Sequence, residues 1–331
     1  MANSYIVICY NIIKKQRMLS SCLMGKIMHK RILTVGILFL LMLSINIPIS
    51  PGNDITIPFD GGDILYVGGS GSNNYTKIQD AINDSSNLDT VFVYDDSSPY
   101  YENLIINKSI SLIGENKETT VIDGSGNKII ILIRLCDNVK IQGFTIKNSS
   151  RSEINWDNAR GIGIQLLAAT FCIISDMIIT NTDIGIYLLN YIWDEFTHTN
   201  TLSQNIFIKN TYGVALDWGS GYTTIVNNVF RLNWYGIIII TTNYNTIMKN
   251  NFLWNFRSVL LRPDVIWPDG DPLDEINHNK WSMNYWGRPQ YLHLILGRAR
   301  VVYDHASWYV RYIEVDWNPV KEPYDIGVQN E

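Results

Sequence analysis

The sequence predicts an all-β protein: a single-stranded right-handed parallel β-helix, or solenoid, with a short N-terminal capping helix and an aromatic C-terminal closing segment. Three observations lead to this prediction. Between about residues 91 and 260, short β-branched runs alternate with Asn, Gly, Thr and Ser and show no helical period. The runs repeat every 22 to 23 residues, and the segments at both ends differ from them. A repeat of strands without helices buries its apolar side only by stacking on neighbouring repeats.

The repeat also predicts a register. One glycine per coil steps from 163 to 185 (22 residues), to 213 (28) and to 236 (23), and asparagines at 205, 228 and 251 are 23 residues apart. We expect glycine to supply a φ that other residues resist. We expect asparagine to tolerate a left-handed corner and to form ladders along the solenoid axis. The apolar residues predicted to stack inward, about 4.8 Å apart, are Ile162, Ile164, Ile186, Leu188, Val214, Leu216, Ile237 and Ile239.

Composition divides the chain into four segments. Residues 1–50 carry basic residues directly before an apolar stretch, Ile32–Ile49, which is typical of a signal peptide or, if it is not cleaved, a signal anchor. Residues 51–88 are assigned to a linker and the capping helix, 89–260 to the β-helix repeats, and 261–331 to the C-terminal cap and tail. We therefore expect a secreted or cell-surface monomer that meets a membrane only through an uncleaved leader.

Charge and cysteine content limit the possible functions. The net charge of -5 argues against nucleic acid as a partner, because a phosphate-tracking surface needs clustered basic residues. After the leader only Cys136 and Cys172 remain, which is too few for a disulfide framework. Cys172 lies among apolar residues and is interpreted as a small buried hydrophobe.

Two terminal segments add a family resemblance to the repeat pattern. Tyr75–Asp84 has the pattern of an amphipathic cap helix, and Asn284–Gly287 with Asp316–Ile326 forms a Trp- and Asn-rich closing segment. With the repeats, these segments resemble right-handed parallel β-helix proteins of the pectin-lyase-like superfamily, which includes pectate lyases, polygalacturonases and the carbohydrate-binding and sugar-hydrolase repeat group. The pattern is most similar to an archaeal group named after NosD, a periplasmic copper-binding protein. The resemblance implies export, and it raises carbohydrate binding, sugar cleavage and copper handling as possible functions.

An insertion in the repeat predicts the ligand site. Residues 191–198 lengthen one coil and bring Trp193, Asp194, Glu195 and His198 to a corner that should also hold Asp217, Trp218 and Tyr222 of the next coil, with Asn243 and Tyr244 beyond. Aromatic rings stack on the C–H face of a sugar, and carboxylates and amides bind its hydroxyl groups. We therefore predict that Trp193, His198, Trp218 and Tyr222 bind a polysaccharide or a cell-envelope component. A second insertion, 149–158, leaves the coil at the opposite end of the strand.

Enzymatic and metal-handling alternatives stay open. Glycoside hydrolysis needs two carboxyl groups that flank one bond, and Asp217 with Asp194 or Glu195 is the pair that shares a corner. The paired Asp, Gly-His-Gly and Arg-x-Lys patterns of polygalacturonases are missing, and Arg231 lacks the acidic cluster of a calcium-dependent pectate lyase. Histidine and methionine are scattered, so no cofactor is predicted and the sequence supports neither copper nor calcium. The leading hypothesis is a non-enzymatic binding protein.

Overall fold

A computed structural model describes residues 62–149, 161–189, 199–240, 242–262, 264–266, 278–288, 291–303 and 306–326. These residues form a parallel β-solenoid with 25 strands and one short helix, α1, at Ile78–Asp84. The predicted leader and the insertion residues 191–198 lie outside the described part. The described part of the chain contains no helix that is long and apolar enough to cross a membrane.

Three stacks of parallel strands form the walls of the solenoid. Stack 1 contains β1 (Ile64–Val67), β2 (Thr90–Val93), β4 (Ser111–Gly114), β7 (Lys140–Gln142), β10 (Ile173–Ser175), β13 (Thr201–Ser203), β16 (Thr224–Val226), β19 (Thr246–Met248) and β23 (Lys280–Ser282). Stack 2 contains β5 (Val121–Asp123), β8 (Thr145–Lys147), β11 (Ile178–Thr180), β14 (Ile206–Ile208), β17 (Val229–Arg231) and β20 (Asn251–Leu253). Stack 3 contains β3 (Leu104–Ile106), β6 (Ile129–Arg134), β9 (Ile162–Leu167), β12 (Ile184–Leu189), β15 (Tyr212–Leu216), β18 (Tyr235–Ile239) and β21 (Arg257–Leu261).

The stacks meet at three edges, which we name by the strands they join. Edge A leads from a stack 3 strand to the next stack 1 strand, edge B from stack 1 to stack 2, and edge C from stack 2 to stack 3. The remaining strands close the C-terminal end: β22 (Asp264–Ile266), β24 (His293–Tyr303) and β25 (Ala306–Asp316). β24 and β25 form an antiparallel hairpin that also pairs with β21 and β23 of the last coil.

The predicted register along stack 3 is confirmed. Ile164, Ile186, Val214 and Ile237 are register partners from coil to coil, and all are fully buried. Ile162 is an exception, because it pairs with Ile184 and packs in a separate cluster with Tyr212, Ala215 and Ile238. Ala215 and Ile238 alternate along their strands with core residues, so this cluster lies on the outer side of stack 3.

The glycines of stack 3 are required by close packing rather than by φ. None of Gly163, Gly185, Gly213 and Gly236 has a left-handed φ, so the predicted reason is wrong. A Cβ on Gly185 would lie 2.5 Å from the carbonyl oxygen of Gly213, and one on Gly213 would lie 2.6 Å from that of Gly236. Successive coils therefore approach too closely at this row to admit a side chain.

Buried asparagines form ladders along the edges, with one correction to the predicted register. At edge B, Asn205, Asn228, Asn250 and Asn284 each donate to or accept from the next amide across a coil step. Asn250, not Asn251, continues this ladder, because Asn251 is the strand partner of Val229. The left-handed corner residue is the one before each ladder asparagine, and residues as different as Gln204, Lys249 and Met283 occupy it.

Both ends of the solenoid are covered. Helix α1 buries Ile78, Ala81 and Ile82 as predicted, and it packs on β1, β2 and β3. The Glu102 carboxylate accepts from the first two helical N–H groups, and Lys108 donates to carbonyl groups at the helix C-terminus. At the other end Trp281 and Trp286 are buried, whereas Trp317 is 75% exposed.

Candidate functional site

Edge A positions the predicted ligand-binding residues that the structure describes. The loop 217–223 joins β15 to β16 and carries Asp217, Trp218 and Tyr222. Trp193, Asp194, Glu195 and His198 lie outside the described residues. The segment that contains them follows β12 and precedes β13, so by connectivity it belongs to edge A as well. Their contacts with Asp217 and Trp218 therefore stay predictions.

The hydrogen bonds of Asp217 stabilise this loop. One carboxylate oxygen accepts from the Tyr187 hydroxyl at 3.0 Å, and the other accepts from the backbone N–H of Trp218 at 2.8 Å. Its own carbonyl accepts from the N–H of Ser220 at 3.0 Å, which closes a tight turn. Asp217 thus accepts on one oxygen from its own loop and on the other from Tyr187 of the preceding coil, which are the contacts of a structural residue.

A row of stacked rings runs along edge A. The Tyr222 and Tyr244 rings lie 5.1 Å apart at 8°, and the Tyr244 and His278 rings lie 4.9 Å apart at 7°. Tyr222 and Tyr244 have left-handed backbones, which direct their side chains out of the coil, and each is half exposed. Tyr244 is covered on both ring faces by its neighbours. The row therefore exposes ring edges and phenol hydroxyl groups along edge A, while the faces of the Tyr244 ring are covered.

Hydroxyl groups continue this surface over the outer side of stack 1. Thr201, Thr224 and Thr246 are register partners, half-buried, and each lies two residues after the edge A corner residue of its coil. Successive coils repeat such groups at about 4.8 Å. The combined surface, the Tyr222–Tyr244–His278 row with the threonine row beside it, offers regularly spaced donors and acceptors to an extended ligand.

His278 is a member of this surface that sequence reasoning missed. It directly precedes the ladder residue Asn279, as Tyr244 precedes Asn245. That equivalent position was a usable signal, but the longer connection between β21 and β23 hides it. Edge C carries a second aromatic group that the sequence did not single out: Trp234 and Phe256 stack at 4.3 Å, and the Arg231 guanidinium lies 5.2 Å from the Trp254 ring centre.

The described histidine and cysteine residues lie in separate surroundings. Across the described ranges, no group of three or more His, Cys, Asp or Glu side chains is arranged to hold a metal ion. His278 stacks on Tyr244, and His293 stacks on Trp286 at 4.0 Å, where burial lowers the pKa of its imidazole. Cys136 and Cys172 are free thiols, and burial raises their pKa values to about 11 and about 12. Both are therefore protonated at neutral pH, whereas metals bind the thiolate.

Comparison with known proteins confirms the family resemblance. The profile of the family described as periplasmic copper-binding protein (NosD) matches residues 72–290, more than half of the chain. Among curated proteins no sequence gives a significant match.

Solved structures with related folds are similar only in outline. They include XylC in complex with xylose (13% identity, 54% of this chain, 36% of that chain, TM-score 0.37) and the GH136 lacto-N-biosidase of Eubacterium ramulus (10%, 68%, 58%, 0.45). A third is the pectate lyase Bsp165PelA of Bacillus sp. N165 with trigalacturonate (16%, 74%, 82%, 0.42). The match thus spans about a third of XylC and somewhat over half of the lacto-N-biosidase.

Proposed function

Because the chain belongs to the NosD family, we propose that it is an exported, extracytoplasmic β-helix protein that binds an extended polysaccharide of the cell envelope along edge A. The observation that carries the proposal is the Tyr222–Tyr244–His278 row beside the threonine row of stack 1. Both rows repeat with the coil, so a linear ligand can make the same contacts at successive steps. The proposed role is binding without cleavage, since both Asp217 oxygens accept structural hydrogen bonds, one from Tyr187 and one from the Trp218 N–H.

The chemistry of the row favours hydroxyl-rich ligands. Tyrosine and threonine hydroxyl groups both donate and accept, so they match sugar hydroxyl groups in either direction. Trp218, 42% exposed, lies in the same loop as Tyr222 and offers an aromatic surface of the kind that sugars stack on. Trp193 and His198, on the same edge by connectivity, are proposed to complete the site.

The test compares two variants in which every substituted residue has a left-handed backbone conformation. In Tyr222→Asn/Tyr244→Asn, asparagine suits the left-handed corner while the rings are removed. Trp254→Asn is the matched control, because Trp254 is an exposed aromatic residue with a left-handed φ of 52° on edge C. We expect binding on a glycan array and in polysaccharide pull-down to fall at least about tenfold in the double variant and to be unchanged in the control. Equal binding by the double variant would contradict the proposal.

A cleaving enzyme is the alternative that the same experiment separates. Release of reducing ends or unsaturated products from a bound polysaccharide, abolished by Asp217→Asn, would replace the binding role with catalysis. The substitution keeps the size of the side chain and one oxygen acceptor, so folding is expected to survive it.

A further inference from the structure

A cavity of about 420 Å³ lies at edge B, on the opposite side of stack 1 from edge A. Its walls are the corner residues of successive coils, Asp176, Gln204 and Asn227, together with Lys117 and the C-terminal segment Tyr324–Ile326. The volume falls within the range of small-molecule sites, roughly 300 to 1,000 Å³. None of these residues belongs to the row on edge A.

Two carboxamides line this cavity without a protein partner. The side chains of Gln204 and Asn227 make no hydrogen bond within the described structure, although both residues use their backbone N–H groups in the coil. The next residues along the chain, Asn205 and Asn228, are buried, and their amides bond fully to the ladder. The free amides thus point outward at positions where the coil itself does not need them.

The C-terminal segment forms a wall that is already in place. Tyr324 and Asn251 exchange two hydrogen bonds: the side-chain amide of Asn251 donates to the Tyr324 carbonyl at 2.7 Å, and the Tyr324 N–H donates back at 2.9 Å. The Tyr324 hydroxyl donates to the carbonyl of Met283 at 2.9 Å. These contacts anchor the segment to two coils, so a ligand does not have to organise the wall on binding.

The charges lining the cavity indicate the kind of ligand. The Lys117 ammonium lies 2.7 Å from an Asp176 carboxylate oxygen, so these two charges neutralise each other. The lining therefore offers no unpaired basic side chain to an anionic ligand. Carboxamides provide two donors and an acceptor each and suit neighbouring hydroxyl groups, while Tyr324 and Ile326 add apolar surface.

We propose that this edge B cavity is a second binding site, which takes a neutral sugar unit between the Gln204 and Asn227 carboxamides and the Tyr324–Ile326 wall. It uses no residue of edge A and stands whether or not edge A binds a polysaccharide. The occupant is one or two sugar rings, because the cavity is closed on one side by the tail.

The test uses glycine substitutions, since Gln204 and Asn227 have φ values of 58° and 55°, which glycine adopts without strain. Saturation-transfer NMR and isothermal titration of the full chain would use neutral disaccharides (cellobiose, maltose, xylobiose, chitobiose) with digalacturonate as the anionic comparison. We expect a neutral disaccharide to bind and digalacturonate to bind more weakly. In Gln204→Gly/Asn227→Gly the affinity for that disaccharide should fall about tenfold or more.

Two controls separate this site from the rest of the protein. Leu232→Gly changes an exposed corner residue with φ 56° on edge C, outside the cavity, and should bind like the wild type. Tyr222→Asn/Tyr244→Asn should also keep disaccharide binding, which distinguishes this site from edge A. The proposal is overturned if no neutral disaccharide binds, if digalacturonate binds more tightly, or if the glycine variant binds equally well.

Discussion

The edge B asparagine ladder predicts that removing a single buried side-chain amide lowers the free energy of unfolding substantially. Asn228 is fully buried, and its side-chain oxygen accepts from the backbone N–H of Asn205 at 2.9 Å and from the Asn205 amide at 3.1 Å. Its nitrogen donates to the carbonyl groups of Leu202 and Val226 and to the side-chain oxygen of Asn250. Asn228→Ala removes all of these bonds and leaves the Asn205 N–H buried without an acceptor.

The expected magnitude follows from those losses. A buried donor without a partner costs about 1–3 kcal/mol and each lost neutral bond contributes about 1 kcal/mol, so the total is about 3–5 kcal/mol. This is a large fraction of the roughly 5–15 kcal/mol that stabilises a typical protein. For a chain of this length it corresponds to a fall in the melting temperature on the order of 10 °C.

The assay is guanidinium unfolding followed by circular dichroism, with the melting temperature measured by calorimetry. Asn83→Ala is the matched control, because Asn83 is an exposed residue of α1 whose side chain, among the described residues, bonds to Gln79 alone. This variant removes the same chemical group at an exposed position, where water replaces the lost hydrogen bond. A destabilisation by Asn228→Ala within about 1 kcal/mol of that control would refute the reasoning.

Three further outcomes are expected. Gly213→Ala places a Cβ 2.6 Å from the Gly236 carbonyl oxygen and should destabilise the solenoid by about 2 kcal/mol in the same unfolding assay, whereas Gly126→Asn, which has open space, should be nearly neutral. Burial raises the pKa of the Glu314 carboxyl group, so this group binds a proton more tightly in the folded protein than in the unfolded chain. The stabilisation that this proton provides is largest below about pH 4.5 and is lost as the pH rises through the folded pKa. The unfolding free energy of the wild type relative to Glu314→Gln should therefore fall from pH 4 to pH 7, and a difference that rises or stays flat would contradict this. Finally, Cys136 and Cys172 should react with iodoacetamide at pH 7.5 far more slowly in the native protein than after denaturation, and rapid native labelling would show that the raised thiol pKa values are wrong.

The direction of the ladders explains why the closing hairpin carries carboxylates. At edge B each amide donates toward the C-terminal end, and the last donor, Asn284, meets an Asp316 carboxylate oxygen at 3.1 Å. At edge A the Asn279 amide donates in the same way to Glu314. A carboxylate only accepts, so it ends such a ladder without leaving an unpaired donor. Both acids are buried, which ties β25 to the last coil.

Sequence periodicity was sufficient for the solenoid, its coil length and its inward residues except Ile162, because strands stacked in register must repeat their apolar pattern. Ile186 and Val214 could be paired from spacing alone, and the helix that covers the first coil could be located from its Ile78–Ile82 pattern. The leader, the segment boundaries and the roles of Trp193 and His198 remain predictions.

Other features were decided by contacts between coils. The shift from Asn251 to Asn250 depends on a one-residue change in coil length that the repeat pattern tolerates equally well. Similarly, a glycine kept for a close carbonyl contact looks the same in sequence as one kept for its φ.

The candidate sites show most clearly what the sequence determined and what it left to the tertiary structure. The sequence by itself located an aromatic corner around Trp218 and Tyr222, because residues near an insertion can be read from spacing. Only the stacked coils decided that the Tyr244 ring is covered on both faces and that His278 extends the row. Only the docked tail creates the edge B cavity, which Lys117 and Tyr324 line together although more than 200 residues separate them in the chain. The physical reason is that a repeat specifies contacts one coil away, whereas a surface depends on which side chains and termini those coils finally bring together.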